Sequence, residues 1–183
     1  MRNRFAVALS LVVGLLSAGC HSSRMRVEQR PSDSADVTTL IQSTDFDPLA
    51  GPVWSGTLTY LDYTSNKSTT IRSTLLVKSI SPGVWTWATG YNDEPDANSS
   101  SDVRVIEKGA AIQSGDTVER VVSRVRRGEN VTITTQHDST DNNRPATIQR
   151  VYVISPGRFS IRKLVKVEGE SEFFERHVYN WSR

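Results

Sequence analysis

The stretch Val53-Trp54-Ser55-Gly56-Thr57-Leu58-Thr59-Tyr60-Leu61-Asp62-Tyr63 sets the pattern for the rest of the chain. Its larger apolar side chains alternate with serine and threonine, so Trp54, Leu58 and Tyr60 fall on one side of an extended backbone. A period of two residues is typical of a β-strand with one buried face. This stretch therefore predicts the first strand of a sheet.

Further segments of the same character follow at short intervals. Their predicted bounds are Thr69–Ile80, Val84–Tyr91, Asp102–Glu107, Ala110–Gln113, Thr117–Arg127, Val131–Gln136, Ala146–Ile154, Arg158–Val167 and Glu172–Ser182. Turn-forming residues separate them, as in Ser81-Pro82-Gly83 and Ser155-Pro156-Gly157. Parallel strands would need longer crossovers, so the pattern predicts an all-β antiparallel meander of about ten strands.

An open meander of this length would leave two unprotected sheet edges. Closure into a barrel removes them, and a two-sheet β-sandwich is the alternative. We expect the aromatic segment Phe173–Trp181 to pair with Val53–Tyr63 and complete a closed or half-open barrel. The motif Trp54-x-Gly56-x-Leu58-x-Tyr60 resembles the opening strand of calycin barrels, the lipocalins and avidins, in which glycine usually precedes tryptophan. That resemblance implies a lipocalin-like β-barrel.

The first twenty residues have the layout of an export signal. Arg2 and Arg4 precede the apolar run Phe5–Leu16, which has the length of a signal-peptide core and is too short to span a bilayer. Small residues then lead to Cys20, the only cysteine of the chain. An ordinary secretory signal with an incidental cysteine is the alternative interpretation.

The stretch Leu15-Leu16-Ser17-Ala18-Gly19-Cys20 resembles the lipobox of bacterial lipoproteins, with Ser17 where leucine is commoner. The resemblance implies a signal peptide over residues 1–19 and a triacylated Cys20 that carries palmitate-type chains and anchors the protein to a membrane. His21 follows the cysteine in place of the aspartate that often retains lipoproteins in the inner membrane. We therefore expect a lipid-anchored protein of the bacterial cell envelope, in the outer membrane and facing the periplasm.

Composition divides the remainder into a polar tether over residues 20–52 and an antiparallel β domain over residues 53–183. The tether is rich in serine and aspartate, and Asp36–Gln42 is its only stretch with a weak helical pattern. The chain has 22 basic and 20 acidic side chains, so removal of Arg2 and Arg4 leaves equal numbers. A balanced charge gives no global attraction to nucleic acid, and we expect no nucleic-acid partner.

No motif predicts catalysis, a metal site or a cofactor. The chain has no Gly-x-Ser-x-Gly elbow, and acylation would block Cys20. Zinc needs three or four ligands, and the sequence supplies only the histidines His21, His137 and His177, with no free cysteine if Cys20 is acylated. His177 would suit haem ligation, but an isolated histidine in a strand is more typical of a packed or surface residue. We expect a protein that is not an enzyme, with no catalytic residues and no cofactor.

Aromatic residues suggest a ligand site. Trp85, Trp87 and Tyr91 share one strand face, and Trp54 and Tyr60 share another. If both faces are interior, the barrel has an aromatic-lined cavity that would hold a small apolar or amphipathic ligand. If the aromatics fill the core instead, the protein is a structural or interaction lipoprotein that contacts another envelope component.

Two long polar segments, Asn92–Ser101 and His137–Pro145, are predicted loops, and the first is long enough to act as a lid. Basic side chains on the strands between Thr117 and Val167 either pair with acidic neighbours or present a basic face to an envelope protein or an acidic glycan.

Overall fold

The computed structural model describes residues 34–63 and 65–183 and consists mainly of antiparallel strands. The strands are β1 (Asp36–Thr38), β2 (Trp54–Asp62), β3 (Lys67–Ser81), β4 (Val84–Tyr91), β5 (Ser99–Ile106), β6 (Ala111–Ser114), β7 (Thr117–Arg127), β8 (Asn130–Asp141), β9 (Arg144–Ser155), β10 (Arg158–Val167) and β11 (Phe174–Ser182). Three short 3₁₀ helices span Asp47–Leu49, Pro95–Ala97 and Glu107–Gly109. Among the described residues, no helix has the length and apolar character needed to cross a bilayer.

Strands β2 to β11 form a closed barrel in which each strand pairs with its neighbours in sequence. The ring closes where β2 meets β11, with Ser55 opposite Ser182 and Tyr60 opposite His177. The predicted meander and the predicted pairing of its first and last long strands are confirmed, and the sandwich alternative is wrong.

Gly56 allows this closure to be tight. It lies opposite Trp181 in the β2–β11 ladder. A Cβ atom at Gly56 would lie 1.9 Å from the Asn180 carbonyl oxygen, which is far inside van der Waals contact. Any larger residue would push the two closing strands apart, so the glycine of the first-strand motif has a packing reason.

The predicted loop over His137–Pro145 is wrong. Strand β8 continues to Asp141 and β9 begins at Arg144, so only Asn142 and Asn143 form the turn. Their φ angles are 48° and 61°, as a type I′ hairpin turn requires, and asparagine tolerates this left-handed region well. The other predicted loop is shorter than expected because β5 already begins at Ser99.

A large apolar cluster fills one end of the barrel, which we call the filled end. The sheet register brings inward aromatic residues to this end. Phe159 of β10 lies opposite Trp181 of β11, and both pack in one cluster with Trp54 and Trp85. The aromatic members of the cluster are Phe46, Trp54, Trp85, Trp87, Tyr152, Phe159 and Trp181.

Residues 36–50, which we call the plug, close the filled end. Phe46 and Leu49 are fully buried, and the Phe46 ring meets the edges of Trp85 and Trp87 at centroid distances of 5.4 Å. The prediction of a polar tether up to residue 52 is therefore corrected, because these apolar side chains belong to the core. Residues 20–33 of the predicted tether, the predicted signal peptide and Cys20 lie outside the described residues.

Buried charges lock the plug to β7. Arg124 donates to Asp45 through Nε at 2.7 Å and through a second nitrogen at 2.9 Å, and both side chains are fully buried. Asp45 also accepts hydrogen bonds from Arg126 at 2.8 Å and from the Gln42 backbone N–H at 2.8 Å. Arg124 makes a further ion pair with Asp36 at 2.7 Å. Burial alone would raise the pKa of Asp45, but these hydrogen bonds outweigh it and lower that pKa.

The start of the plug is a strand and not the weakly predicted helical turn. Strand β1 pairs with the second half of β7, an edge that the short strand β6 leaves uncovered. Farther along, the Ile41 N–H donates to the Gly109 carbonyl at 2.9 Å. Gly109 has a φ of +98°, and a Cβ there would lie 2.3 Å from the Ile41 carbonyl oxygen. The plug thus docks on a position that only glycine fits.

Candidate functional site

The opposite end of the barrel is open and contains a cavity of about 390 Å³, which we call the mouth pocket. It lies where β2, β4 and β8 end and where β11 begins. Its lining residues are Leu58, Tyr60, Ile71, Tyr91, Glu94, Ala97, Asp141, Lys163, Arg176 and His177. One wall is therefore apolar and aromatic, and the rim carries charges of both signs.

The sheet register explains why polar groups face this pocket. His177 of β11 lies opposite Tyr60 of β2 on one side and opposite Lys163 of β10 on the other. Lys163 in turn lies opposite Arg150 of β9. Directly paired residues point to the same face of a sheet, so these four side chains form an interior row across four strands.

Tyr179 joins the filled end to the mouth pocket. Its ring stacks on Trp181 at a centroid distance of 4.7 Å and meets the His177 ring edge at 5.4 Å. Its hydroxyl is 2.5 Å from the Tyr91 hydroxyl, which ties β11 to β4 across the lumen. Burial, followed by the hydrogen bond to Tyr91, raises the pKa of Tyr179.

Asp141 anchors a charged cluster at the rim. It accepts hydrogen bonds from Lys163 Nζ at 3.0 Å and from the Tyr63 hydroxyl, and Arg176 Nε lies 4.0 Å away. The Arg176 guanidinium also lies over the Tyr63 ring, 4.1 Å from its centroid. Burial alone would raise the pKa of Asp141, but the bonds from Tyr63 and Lys163 lower it overall. Burial and Asp141 raise the pKa of Tyr63 to about 12.

This setting also changes the titration of His177. Burial first, and then the charges of Lys163, Arg150 and Arg176, lower its pKa to about 4. The imidazole is therefore neutral near pH 7. A neutral imidazole offers one N–H donor and one acceptor nitrogen to whatever occupies the pocket.

A buried acid, Glu119, lies deeper in the barrel. It accepts a hydrogen bond from the Thr135 hydroxyl at 2.5 Å and lies 3.4 Å from the Tyr152 hydroxyl. Arg150 pairs with the same carboxylate. The charge of Arg150 is thus balanced by the buried Glu119, whereas Lys163 and Arg176 share the carboxylate of Asp141 at the rim.

Some buried donors in the described part of the chain lack a hydrogen-bond partner. They include Ser73 Oγ, Trp87 Nε1 and Trp181 Nε1. Ser73 lies opposite Gly56 and Tyr91 in the ladders, which places it between the filled end and the mouth pocket. The Ser73 hydroxyl is therefore a buried polar group of the layer between the two ends, whereas the two indole N–H groups belong to the filled end.

The structure separates the five residues predicted to bind a ligand. Trp54 and Trp85 donate through Nε1 to the plug, at 2.8 Å to the Leu49 carbonyl and at 3.1 Å to Asp47. Trp87 packs beside them in the filled end. Tyr60 and Tyr91 line the mouth pocket instead. The expectation of one aromatic cavity shared by all five residues is therefore corrected.

Sequence reasoning did not assign Lys163, Arg176 or His177 to a ligand pocket. Lys163 and Arg176 look like surface charges because basic residues flank each of them or lie on neighbouring strands. The available signal was the alternation in β10, which places Lys163 on the same side as Phe159 and Val165. No three metal-ligating side chains are grouped within residues 34–63 and 65–183.

No protein-family model and no curated protein sequence matches the chain. Among solved structures, the crystal structure of Rv2717c from M. tuberculosis is similar, with a TM-score of 0.54 and 12% sequence identity. The match covers 79% of this chain and 98% of that one. At this identity the similarity shows a shared β-barrel fold and nothing about activity.

Proposed function

We propose that this protein is an envelope lipoprotein whose non-catalytic barrel holds a small amphipathic ligand in the mouth pocket. The observation that carries the proposal is the cavity of about 390 Å³ at the open end, with an apolar wall and a charged rim. Small-molecule sites are commonly concave and about 300–1,000 Å³ in volume, and polar groups in them fix the orientation of the ligand.

The division of the lumen supports this location. The filled end is occupied by the plug and by four tryptophans, of which Trp85 is fully buried. At the mouth, Leu58, Tyr60 and Ile71 are only partly buried and face the open cavity. Covering these side chains with an apolar ligand would remove their remaining surface from water, which is favourable by about 25 cal/mol per Å².

Fluorescence of N-phenyl-1-naphthylamine tests the pocket. The folded domain should bind this neutral apolar probe at one saturable site. Ile71→Trp should fill the cavity and weaken binding at least tenfold, whereas Arg72→Trp, on the exposed neighbouring position, should leave it unchanged. A wild-type protein that is folded but shows no saturable binding would exclude the ligand proposal.

The anchor is tested separately, because it depends on the lipobox resemblance and not on the barrel. Labelled palmitate should enter the wild-type protein in its bacterial host. Cys20→Ala should abolish the label and leave an uncleaved precursor. Wild-type protein that takes up no label would contradict lipidation and leave the barrel proposal untouched.

The second candidate is a structural or interaction lipoprotein. The plug favours it in one respect, because Val37 and Leu40 expose 67% and 48% of their surface beside the filled end. Photocrosslinking from position 37 in the bacterial envelope should then capture a defined partner, whereas position 72 should not. Capture together with absent probe binding would favour this candidate.

A further inference from the structure

We infer that the ligand of the mouth pocket carries an anionic group that lies at Lys163 and Arg176, with its apolar part against Leu58, Tyr60 and Ile71. This inference rests on the proposed function of the pocket and specifies the class of compound that it takes, an anionic amphiphile. It follows from the balance of charges at the rim and from the hydrogen-bond donors that Lys163 and Arg176 do not use within the protein.

The charges that face the pocket are two cations and two acids. Lys163 and Arg176 keep 20% and 21% of their side-chain surface exposed, so both reach the cavity. Asp141 is buried beside them and accepts from Lys163. Glu94 belongs to the loop after β4 and is exposed, so water screens its charge.

Both cations retain donors after their contacts within the protein. Lys163 has three N–H donors, and its hydrogen bond to Asp141 uses one. Arg176 has five, donates one to the Leu61 carbonyl and holds Nε 4.0 Å from Asp141. Spare donors on partly buried cations attract an anionic acceptor, and such charge-assisted hydrogen bonds are about twice as strong as neutral ones.

The residues around the pocket favour an anionic ligand over a cationic one. Arg150 of β9 lies directly opposite Lys163 of β10 and adds positive potential, although Glu119 pairs with Arg150. The lowered pKa of His177 has the charges of Lys163, Arg150 and Arg176 among its causes, which indicates a net positive potential at the imidazole. A neutral His177 then adds an N–H donor beside the cations.

A series of three ten-carbon amphiphiles with different head groups tests the inference. Decanoate, decanol and decyltrimethylammonium should be titrated against the full protein saturated with N-phenyl-1-naphthylamine. We expect decanoate to displace the probe at a concentration at least tenfold lower than decanol. The cationic compound should be weaker than decanol, because it meets the positive side of the pocket.

Variants locate the anionic group. Lys163→Gln and Arg176→Gln should each weaken decanoate binding about tenfold and change decanol binding less than twofold. Lys166→Gln is the matched control on the same strand, because Lys166 lies over the Phe173 ring and does not line the mouth pocket. It should leave both affinities unchanged.

The outcomes separate the two proposals. If the probe binds and decanoate is no better than decanol, the anionic class is wrong while the pocket stands. If decanoate is preferred but neither glutamine variant weakens it, the position at Lys163 and Arg176 is wrong. If neither the probe nor any decyl compound binds, the pocket itself is wrong. Should one variant fail to fold, the other variant and the wild-type series still decide the matter.

Discussion

The two ends of the barrel use the same charge pattern, one aspartate shared by two cations, with opposite results. At the filled end Asp45 binds Arg124 and Arg126, and a backbone N–H completes its set of donors. At the mouth Asp141 faces Lys163 and Arg176, which still reach an open cavity. The pattern alone therefore does not decide whether a cluster is structural.

The difference lies in how completely the donors are used. Arg124 spends all three of its nitrogens on Asp45 and Asp36 and has no exposed side-chain surface. Lys163 makes one hydrogen bond among the described residues and keeps part of its surface exposed. A saturated buried cluster holds elements together, whereas an unsaturated one at a cavity is available to a ligand.

Removal of the plug should have the largest effect. A chain that begins at Gly51 lacks the buried Ile41, Phe46 and Leu49 and both carboxylates that pair with Arg124. Each lost apolar side chain costs about 1.5–3 kcal/mol, so the three together rival the stability of a whole domain. We expect no cooperative melt by circular dichroism. A chain that begins at Ser34 is the control, and equal melts for both chains would contradict the role of the plug.

The paired aspartates allow a direct comparison of the two ends. Asp45→Ala should lower the free energy of unfolding by about 3–5 kcal/mol, because it leaves the fully buried Arg124 with only the half-exposed Asp36 as an acidic partner. Asp141→Ala should cost only about 1–2 kcal/mol, since Lys163 and Arg176 can turn to water. Urea unfolding of both variants measures the difference. Equal losses would show that the two clusters are equivalent.

Substitutions of aromatic residues should also have different effects at the two ends. Trp87→Ala should cost about 3–5 kcal/mol, because Trp87 packs against Phe46 and Phe159 in the filled end. Tyr60→Ala at the mouth should cost less than about 2 kcal/mol, because its side chain is only partly buried. Tyr60→Ala should weaken probe binding more than it weakens the fold. A Trp87→Ala protein of nearly native stability would contradict the filled end.

A pH dependence also belongs to the mouth. His177 has a pKa of about 4 when folded and an ordinary value near 6.5 when unfolded, so the unfolded chain binds the extra proton between these values. Stability is full above about pH 6.5 and falls as the pH drops toward 4. Between pH 7 and pH 4 the wild type should lose about 2–3 kcal/mol more than His177→Gln does.

His137→Gln is the matched control for that measurement. The pKa of His137 is also lowered, by burial and then by Lys163, so this variant reports the share of the slope that does not belong to His177. A pH profile of His177→Gln that overlays the wild type would contradict the neutral buried imidazole. The carboxylates Asp45 and Asp141 contribute equally to all three proteins and cancel in the comparison.

The barrel was predictable because strand alternation is a local property. Each predicted segment after residue 52 corresponds to a strand, and the aromatic first and last segments pair as expected. Because exposed sheet edges are unfavourable, only a few topologies were then possible for a meander of this length. The turn at Asn142 and Asn143 was missed, although two adjacent asparagines are a recognised signal for positive φ.

The plug was not predictable because its partners are distant in sequence. Asp45 and Arg124 each look like ordinary surface charges, and only the folded barrel brings them to 2.7 Å. Phe46 and Leu49 flank an aspartate and a proline, so they show neither strand nor helix period. The mouth pocket was not predictable for a similar reason, because an inward lysine differs from an outward one only by its position in the register.

Closure between β2 and β11 also has a kinetic consequence. Ser55 pairs with Ser182, so the ring forms between nearly the first and the last residues of the domain. Folding rates fall as contacting residues become more distant along the chain, and this protein should therefore fold slowly. Until β11 is in place, β2 and β10 each present an open edge to other unfolded copies. A chain that emerges from a ribosome passes through that state, and its exposure to aggregation lasts until the nine residues of β11 arrive.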